Sequence, residues 1–154
     1  MKKPTEIYNI TLVRSSESDG ITRGRLTFTS GEAEWQIDTL EPPVSGAFAL
    51  LALPAGVYKI RYRFIDRAGE SRMVLKRAPA RPYFELFGIE KAEAIDPALL
   101  LDPRTGHAFI LLGKESEGRF LPNPLTSALM DELAFAQFKN KTITITINNN
   151  ETNL

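Results

Sequence analysis

Strict alternation of apolar and polar residues is the feature that most constrains the fold of this chain. Within residues 57–64, aromatic and aliphatic side chains fall on one face of an extended strand and basic side chains on the other. Residues 142–147 repeat the pattern with alternating threonine and isoleucine. A period of two residues does not suit an amphipathic helix, so both segments are predicted to be strands.

Turn-forming residues divide the rest of the chain into further short strands. Strands are predicted where β-branched and aromatic residues cluster, at residues 7–13, 24–29, 33–40, 72–76, 83–87 and 106–113. The polar, glycine-ended segments 15–20 and 114–118 are predicted to be loops. Most strands follow one another through short connections, which indicates mainly antiparallel pairing.

One substantial helix is predicted near the end of the chain. Asn123 supplies a capping side chain, and Pro124 suits the first helical turn. On a helical wheel the apolar side comprises Leu125, Ala128, Leu129, Leu133, Phe135 and Ala136. The predicted fold is therefore mainly β (α+β): an antiparallel small barrel or curled sheet of about seven strands, with one C-terminal helix before the last strand.

The composition indicates one domain and excludes several functional classes. Of the 154 residues, residues 1–147 are predicted to form a single β-rich domain, and residues 148–154 a disordered polar tail. The 19 basic and 19 acidic residues cancel, which argues against binding nucleic acid or membranes through bulk charge. The chain has no cysteine, so disulfides, thiolate nucleophiles and zinc–thiolate sites are excluded. No signal peptide or membrane span is evident; the expected location is the cytoplasm, or the exterior by a signal-independent route.

His107, the only histidine, is the first candidate for a site. It lies within residues 106–113, an apolar run with a glycine at each end. No metal site and no cofactor are predicted, because no second histidine or cysteine is present. One interpretation is a residual cell-wall hydrolase or transferase in which His107 acts with Asp102. The other is an inert, hydrogen-bonded residue at the start of a strand.

Carboxylates give a weaker acid–base hypothesis. Asp38 and Glu41 flank one strand end, and Asp96 and Asp102 flank the loop before His107. Acid–base chemistry needs two carboxyl groups in one cleft. Asp96 is better explained as a helix cap and Asp102, which precedes a proline, as a turn former.

The third candidate is positive charge. Residues 59–81 contain eight basic residues against Asp66 and Glu70. Lys59, Arg61 and Arg63 share one strand face, which predicts an anion-binding module that recognises phosphates or carboxylates. The alternative is a solvated outer face that protects a strand edge, since no aromatic pair interleaves these residues.

Three blocks of sequence resemble a known family. They are residues 23–27 with 35–41, residues 53–60, and residues 110–114 followed by the helix and residues 142–145. Their order is similar to the domain-of-unknown-function family 5675, small proteins found in phages, prophages and bacterial genomes. The resemblance implies a bacterial or phage-related origin and a His/Cys site like that of L,D-transpeptidases, in which a thiolate attacks a peptidoglycan stem peptide.

The same resemblance implies that this site is degenerate. Relatives carry Gly-Cys just before the Ile-Leu-x-Gly run, and Ala108 and Phe109 occupy those positions here. The family histidine falls near Asp102, so His107 does not replace it. The chain is therefore interpreted as a non-catalytic binding or structural domain, a pseudoenzyme. A peptidoglycan fragment or a protein is the expected partner, nucleic acid is not, and the chain is a monomer or an edge-paired dimer.

Overall fold

The computed structural model describes residues 8–30, 33–43, 53–65, 70–76, 84–101, 109–139 and 141–150. For residues 8–9, 30, 61–65, 70–76, 84–85, 109 and 137, the description covers the backbone and not the side chains. His107, Ala108 and Asp102 lie outside the described residues.

Ten strands, a short 3-10 helix and one α-helix make up the described fold. In chain order the strands are β1 (Tyr8–Ser18), β2 (Ile21–Ser30), β3 (Ala33–Glu41), β4 (Gly56–Ile65), β5 (Glu70–Lys76), β6 (Phe84–Gly88), β7 (Glu93–Ala94), β8 (Phe109–Ser116), β9 (Arg119–Leu121) and β10 (Ile143–Asn149). The 3-10 helix, Pro97–Leu100, lies between β7 and β8, and helix α1, Pro124–Phe138, precedes β10.

The strands form one curled sheet in the order β3-β2-β1-β10-β4-β5-β6-β8-β9-β7. Most neighbouring pairs are antiparallel; β1 with β10 and β6 with β8 are parallel. β3 also pairs with β8, through Asp38, Thr39 and Leu40, so the sheet curls around an inner face. The predicted class is confirmed: the fold is mainly β and curled, with one helix before the last strand.

Two predicted loops are instead tight hairpins. β1 continues through Ser18 and turns at Asp19 and Gly20, where φ is 55° and 77°. β8 continues through Ser116 and turns at Glu117 and Gly118, where φ is 52° and 76°. Two consecutive residues with positive φ give a turn whose twist matches that of the flanking strands, so a two-residue connection is sufficient. This explains why the strands are longer than predicted.

Two hydrophobic clusters cover the two faces of β8. Ile110 and Leu112 join the main core on the inner face of the curled sheet, together with residues of β1–β4, β10 and α1. Leu111 packs on the other face with a second cluster of Ile21, Leu40, Leu100 and Phe120. Burial on both faces accounts for the continuous apolar run in this strand, where an alternating pattern is absent.

Helix α1 begins as predicted, but its buried face is narrower than the wheel suggested. The side chain of Asn123 accepts a hydrogen bond from the Leu125 amide at 3.0 Å, which caps the first turn. Leu129 and Leu133 are buried in the main core. Phe135 was assigned to the apolar side, and this was wrong, because its side chain is 54% exposed. Its ring instead lies beneath the Lys139 ammonium, 4.3 Å from the ring centroid.

Strand β10 runs past residue 147 into the segment predicted to be a polar tail. β10 extends to Asn149, and the Asn150 amide donates to the Arg14 carbonyl at 2.9 Å. Pairing with β1 orders these asparagines despite their polar side chains. The remainder of the predicted tail, residues 151–154, lies outside the described part. No helix among the described residues has both the length and the apolarity needed to cross a membrane.

Candidate functional site

A cleft of about 640 Å³ opens between the end of β6 and the N-terminal half of α1. Its lining consists of Leu86, Phe87, Gly88, Ile89, Glu90, Pro122, Asn123, Pro124, Thr126, Ser127, Met130, Asp131 and Ala134. One wall is therefore the end of a sheet strand and the segment that follows it. The other wall is the first three turns of a capped helix.

Gly88 allows the two walls of the cleft to meet. A Cβ atom at this position would lie 2.5 Å from Thr126 Cγ2, a separation that side chains do not adopt. Helix α1 therefore rests directly on the β6 backbone at its first turn. After Gly88 the chain stays beside β8, because the Ile89 amide donates to the Leu112 carbonyl at 3.0 Å. Residues 88 and 126, both in the lining, thus hold the two walls in direct contact.

We expect a Gly88→Ala variant to lose about 1–3 kcal/mol of unfolding free energy, because the new methyl group overlaps Thr126 Cγ2. Chemical denaturation measures the loss. The double variant Gly88→Ala/Thr126→Ser removes the overlapping methyl group and should recover most of it. If the loss persists undiminished in the double variant, contact with Thr126 is not the reason for glycine at this position.

The chemistry of the cleft is apolar with acidic groups. Leu86, Phe87, Ile89 and Met130 supply hydrophobic surface, and Glu90 and Asp131 are the charged residues of the lining. Among the described residues, the lining contains no histidine, cysteine, lysine or arginine. A mostly apolar concave surface with a few polar groups is typical of a ligand-binding site.

A second cleft, of about 520 Å³, adjoins the first. The two share Phe87, Ile89 and Glu90, and the second continues past Leu99 and Leu111 on the side of the 3-10 helix. Its remaining lining residues are Lys91 and Glu93, which form an ion pair with each other at 3.7 Å. The segment that follows β6 therefore has concave surface on both sides.

The predicted pair His107 and Asp102 lies outside the described residues, and it stays a prediction. The structure does describe the strand that follows. β8 begins at Phe109, whose backbone stands beside Glu85 of β6. The next residue of β6, Leu86, lines the larger cleft.

Of the four predicted carboxylates, Asp102 lies outside the described residues, and Asp38, Glu41 and Asp96 line neither cleft. Asp38 and Glu41 are three positions apart in β3. Because successive side chains of a strand point to opposite faces, these two side chains lie on opposite faces of the sheet. Asp38 accepts a hydrogen bond from the Glu115 amide at 3.0 Å. Asp96 accepts one from the Ala98 amide at 2.8 Å and caps the 3-10 helix, as expected. These contacts give both aspartates structural roles.

Glu41 instead forms a buried ion pair that sequence reasoning missed. Its carboxylate receives hydrogen bonds from Arg14 Nη2 at 2.7 Å and from Arg14 Nε at 3.0 Å. Each of the two side chains is only 1% exposed. Asn149 Oδ1 accepts a third bond from Arg14 Nη1 at 3.3 Å. The alternation of β1 contained a sign of this burial, because Arg14 lies two positions after Leu12 and four after Ile10 and therefore shares their inward face.

The predicted anion-binding residues lie on β4. Lys59 is exposed between the buried Tyr58 and Ile60, so its face of the strand is the outer face of the sheet. Strand alternation puts residues 61 and 63 at outer-face positions too. β4 pairs with β10 at residues 56–60 and with β5 at residues 59–65, so among the described residues Lys59 has a neighbouring strand on both sides and residues 61 and 63 have one on the β5 side.

Metal binding finds no support among the described residues, since no group of three or more histidine, cysteine or carboxylate side chains is placed to hold an ion.

Comparison of the chain with family models, with curated proteins and with solved structures found no match.

Proposed function

We propose that this chain is a non-catalytic binding domain whose ligand occupies the cleft between β6 and α1. The observation that carries the proposal is the cleft itself, a concavity of about 640 Å³ between a strand end and a capped helix. Its walls offer apolar contact area, and its polar groups are few. Such a surface suits binding.

The position of the cleft supports a degenerate transpeptidase-like site. In the resemblance to family 5675, the reactive cysteine corresponds to Phe109. The backbone of Phe109 pairs with Glu85, one residue before Leu86 in the cleft wall. On this proposal, a surface next to the lost nucleophile keeps affinity for a fragment of peptidoglycan. The bacterial or phage-related origin and the cytoplasmic location are parts of the same proposal.

The proposal is tested by titrating disaccharide-peptide fragments of peptidoglycan into the isotopically labelled chain. We expect the amide resonances of Gly88, Ile89, Ser127 and Met130 to shift together. In a Ser127→Trp variant an indole fills the cleft from its exposed rim, and affinity should fall at least about tenfold, or about 1.4 kcal/mol. Mass spectrometry should recover the fragments uncleaved.

The matched control is Phe135→Trp, which places the same indole two turns further along α1 and outside the cleft lining. Its affinity should equal that of the unmodified chain. The absence of shifts at the cleft would contradict the proposal. Turnover of the fragments that disappears in a His107→Ala variant would contradict it too, and would favour the residual hydrolase or transferase of His107 and Asp102.

A further inference from the structure

The charged groups that line the cleft between β6 and α1 are all acidic among the described residues. Glu90 stands on the wall formed by the segment after β6, and Asp131 stands on the wall formed by α1. Both residues are exposed. The basic residue nearest to Glu90 in the chain, Lys91, lines the adjoining cleft instead and pairs with Glu93 at 3.7 Å. A ligand in the cleft therefore meets negative charge from both walls.

The neutral polar groups of the cleft are few, and most of them are already engaged. The Asn123 side chain accepts from the Leu125 amide at 3.0 Å and donates to the Gly113 carbonyl at 3.5 Å. Thr126 is 7% exposed, and its hydroxyl has no hydrogen-bond partner among the described residues. Ser127 is exposed at the rim. A glycan has many hydroxyl groups that each need a partner when buried, so this lining does not suit it.

A short peptide with small apolar side chains fits the lining better than a glycan does. Leu86, Phe87, Ile89 and Met130 provide apolar contact area for methyl groups. A peptide amide unit both donates and accepts hydrogen bonds, and so does the Thr126 hydroxyl. The stem peptide of peptidoglycan consists of alanine, glutamate or its amide, and a diamino acid. It therefore presents methyl groups and amides together.

The acidic walls distinguish between two chemical types of stem peptide. The lysine type, with isoglutamine before the lysine, carries an ammonium group and no side-chain carboxylate. The diaminopimelate type, with glutamate before the diaminopimelate, carries two more carboxylates. Glu90 and Asp131 repel carboxylates and attract an ammonium group. Among the described residues, the lining has no basic side chain that would hold a carboxylate.

We propose that the cleft between β6 and α1 recognises the stem peptide of peptidoglycan, and selects the amidated lysine type over the diaminopimelate type. This inference rests on the proposed function, in which the cleft binds a peptidoglycan fragment, and it names the part of the fragment that is recognised. Because Glu90 and Asp131 are exposed, solvent and ions screen them. The selectivity therefore decreases as the salt concentration rises.

The test is titration of the isotopically labelled full chain with three synthetic probes. They are the lysine peptide L-Ala-D-isoglutaminyl-L-Lys-D-Ala, the diaminopimelate peptide L-Ala-γ-D-Glu-meso-diaminopimelyl-D-Ala, and a neutral tetramer of N-acetylglucosamine. Amide shifts of Ile89 and Met130 report occupation of the cleft. At low salt we expect the lysine peptide to bind at least about tenfold more tightly than the diaminopimelate peptide. The glycan should cause no shifts.

Charge reversal on one wall separates recognition of charge from packing. In a Glu90→Lys variant, affinity for the lysine peptide should fall at least about threefold and affinity for the diaminopimelate peptide should rise at least about threefold. The matched control Glu117→Lys makes the same change at an exposed residue between β8 and β9, outside both cleft linings. Its two affinities should stay within about twofold of the unmodified chain. An unchanged preference in Glu90→Lys would contradict the assigned cause.

Three results would overturn this inference and leave the proposed function intact. One is affinity for the diaminopimelate peptide equal to or above that for the lysine peptide. Another is glycan-induced shifts as large as those caused by the lysine peptide. The third is binding of a disaccharide-peptide fragment when neither free peptide binds. If that fragment and both peptides leave the cleft resonances unchanged, the proposed function is wrong and the inference is wrong with it.

Discussion

A Glu41→Gln variant is expected to lose about 3–5 kcal/mol of unfolding free energy, the largest effect of any charge change in the described structure. Glu41 and Arg14 are each 1% exposed. The amide side chain fits the same space but carries no charge, so the Arg14 guanidinium is left as an uncompensated cation in the interior. Removing one partner of a buried ion pair therefore lowers the unfolding free energy far more than replacing both partners with apolar residues does.

Asn149 cannot replace the lost charge. Its Oδ1 accepts from Arg14 Nη1 at 3.3 Å, but it is a neutral acceptor. Thr22 and Thr39, which also lie at this end of β2 and β3, have buried hydroxyl groups without a hydrogen-bond partner. Hydroxyl groups are neutral too, and neither of them contacts the guanidinium through a hydrogen bond. Arg14 thus depends on Glu41 for charge compensation among the described residues.

The matched control is Glu115→Gln, the same substitution in an exposed ion pair. Glu115 accepts from Arg23 Nε at 2.9 Å, and the two side chains are 34% and 27% exposed. Solvent screens this pair, so we expect a change of less than about 1 kcal/mol. Urea unfolding monitored by circular dichroism measures both variants. Similar losses in the two would show that burial does not set the value of the Arg14–Glu41 pair.

A second control separates the ion pair from the packing of its atoms. The double variant Arg14→Met/Glu41→Leu replaces both charges with apolar side chains of similar length. Buried ion pairs replaced in this way often leave stability unchanged or increased. We therefore expect the double variant to be more stable than Glu41→Gln. A larger loss in the double variant would contradict the assigned cause.

A Leu129→Ala variant is expected to lose about 2–5 kcal/mol of unfolding free energy. Leu129 is fully buried in the main core, where it packs α1 against the inner face of the curled sheet. Truncation removes apolar surface from the interior and leaves a cavity that the surrounding strands cannot close completely. The range reflects how far the site can collapse.

Phe135→Ala is the control, because it removes a larger side chain from the same helix. Phe135 is 54% exposed, so its loss should change stability by less than about 1 kcal/mol, mainly through the exposed contact with Lys139. Thermal and urea unfolding of both variants provide the comparison. A greater loss for Phe135→Ala than for Leu129→Ala would mean that the helix presents a different face to the sheet.

The prediction about Phe135 failed for an identifiable reason. A helical wheel orders residues around an axis but does not specify how wide a stripe the neighbouring sheet covers. The buried residues among the described side chains of α1 are Thr126, Leu129 and Leu133, which follow each other at spacings of three and four residues, and Phe135 lies outside that stripe. The wheel alone does not say which part of a broad apolar side the sheet covers.

The candidate cleft was equally inaccessible to sequence reasoning. Its walls come from β6 and α1, which are separated by more than 30 residues in the chain. Ser127 and Met130 have no chemical signature of a site, and Gly88 directly follows the predicted strand of residues 83–87. His107 was chosen as a candidate because it is the single histidine of the chain. That is a property of the composition, and it does not indicate where the folded chain forms a cleft.

The sequence by itself determined the class of this fold and the identity of its main elements. Alternation in β4 and β10, and the Asn123-Pro124 start of α1, are local patterns, and local patterns report local backbone geometry. Only the tertiary structure decided that β10 pairs in parallel with β1, that β3 returns to β8, and that Arg14 meets Glu41. These contacts join residues far apart in the chain. Which of these long-range contacts form depends on burying both faces of the sheet at once. A short segment of sequence contains no information about that requirement.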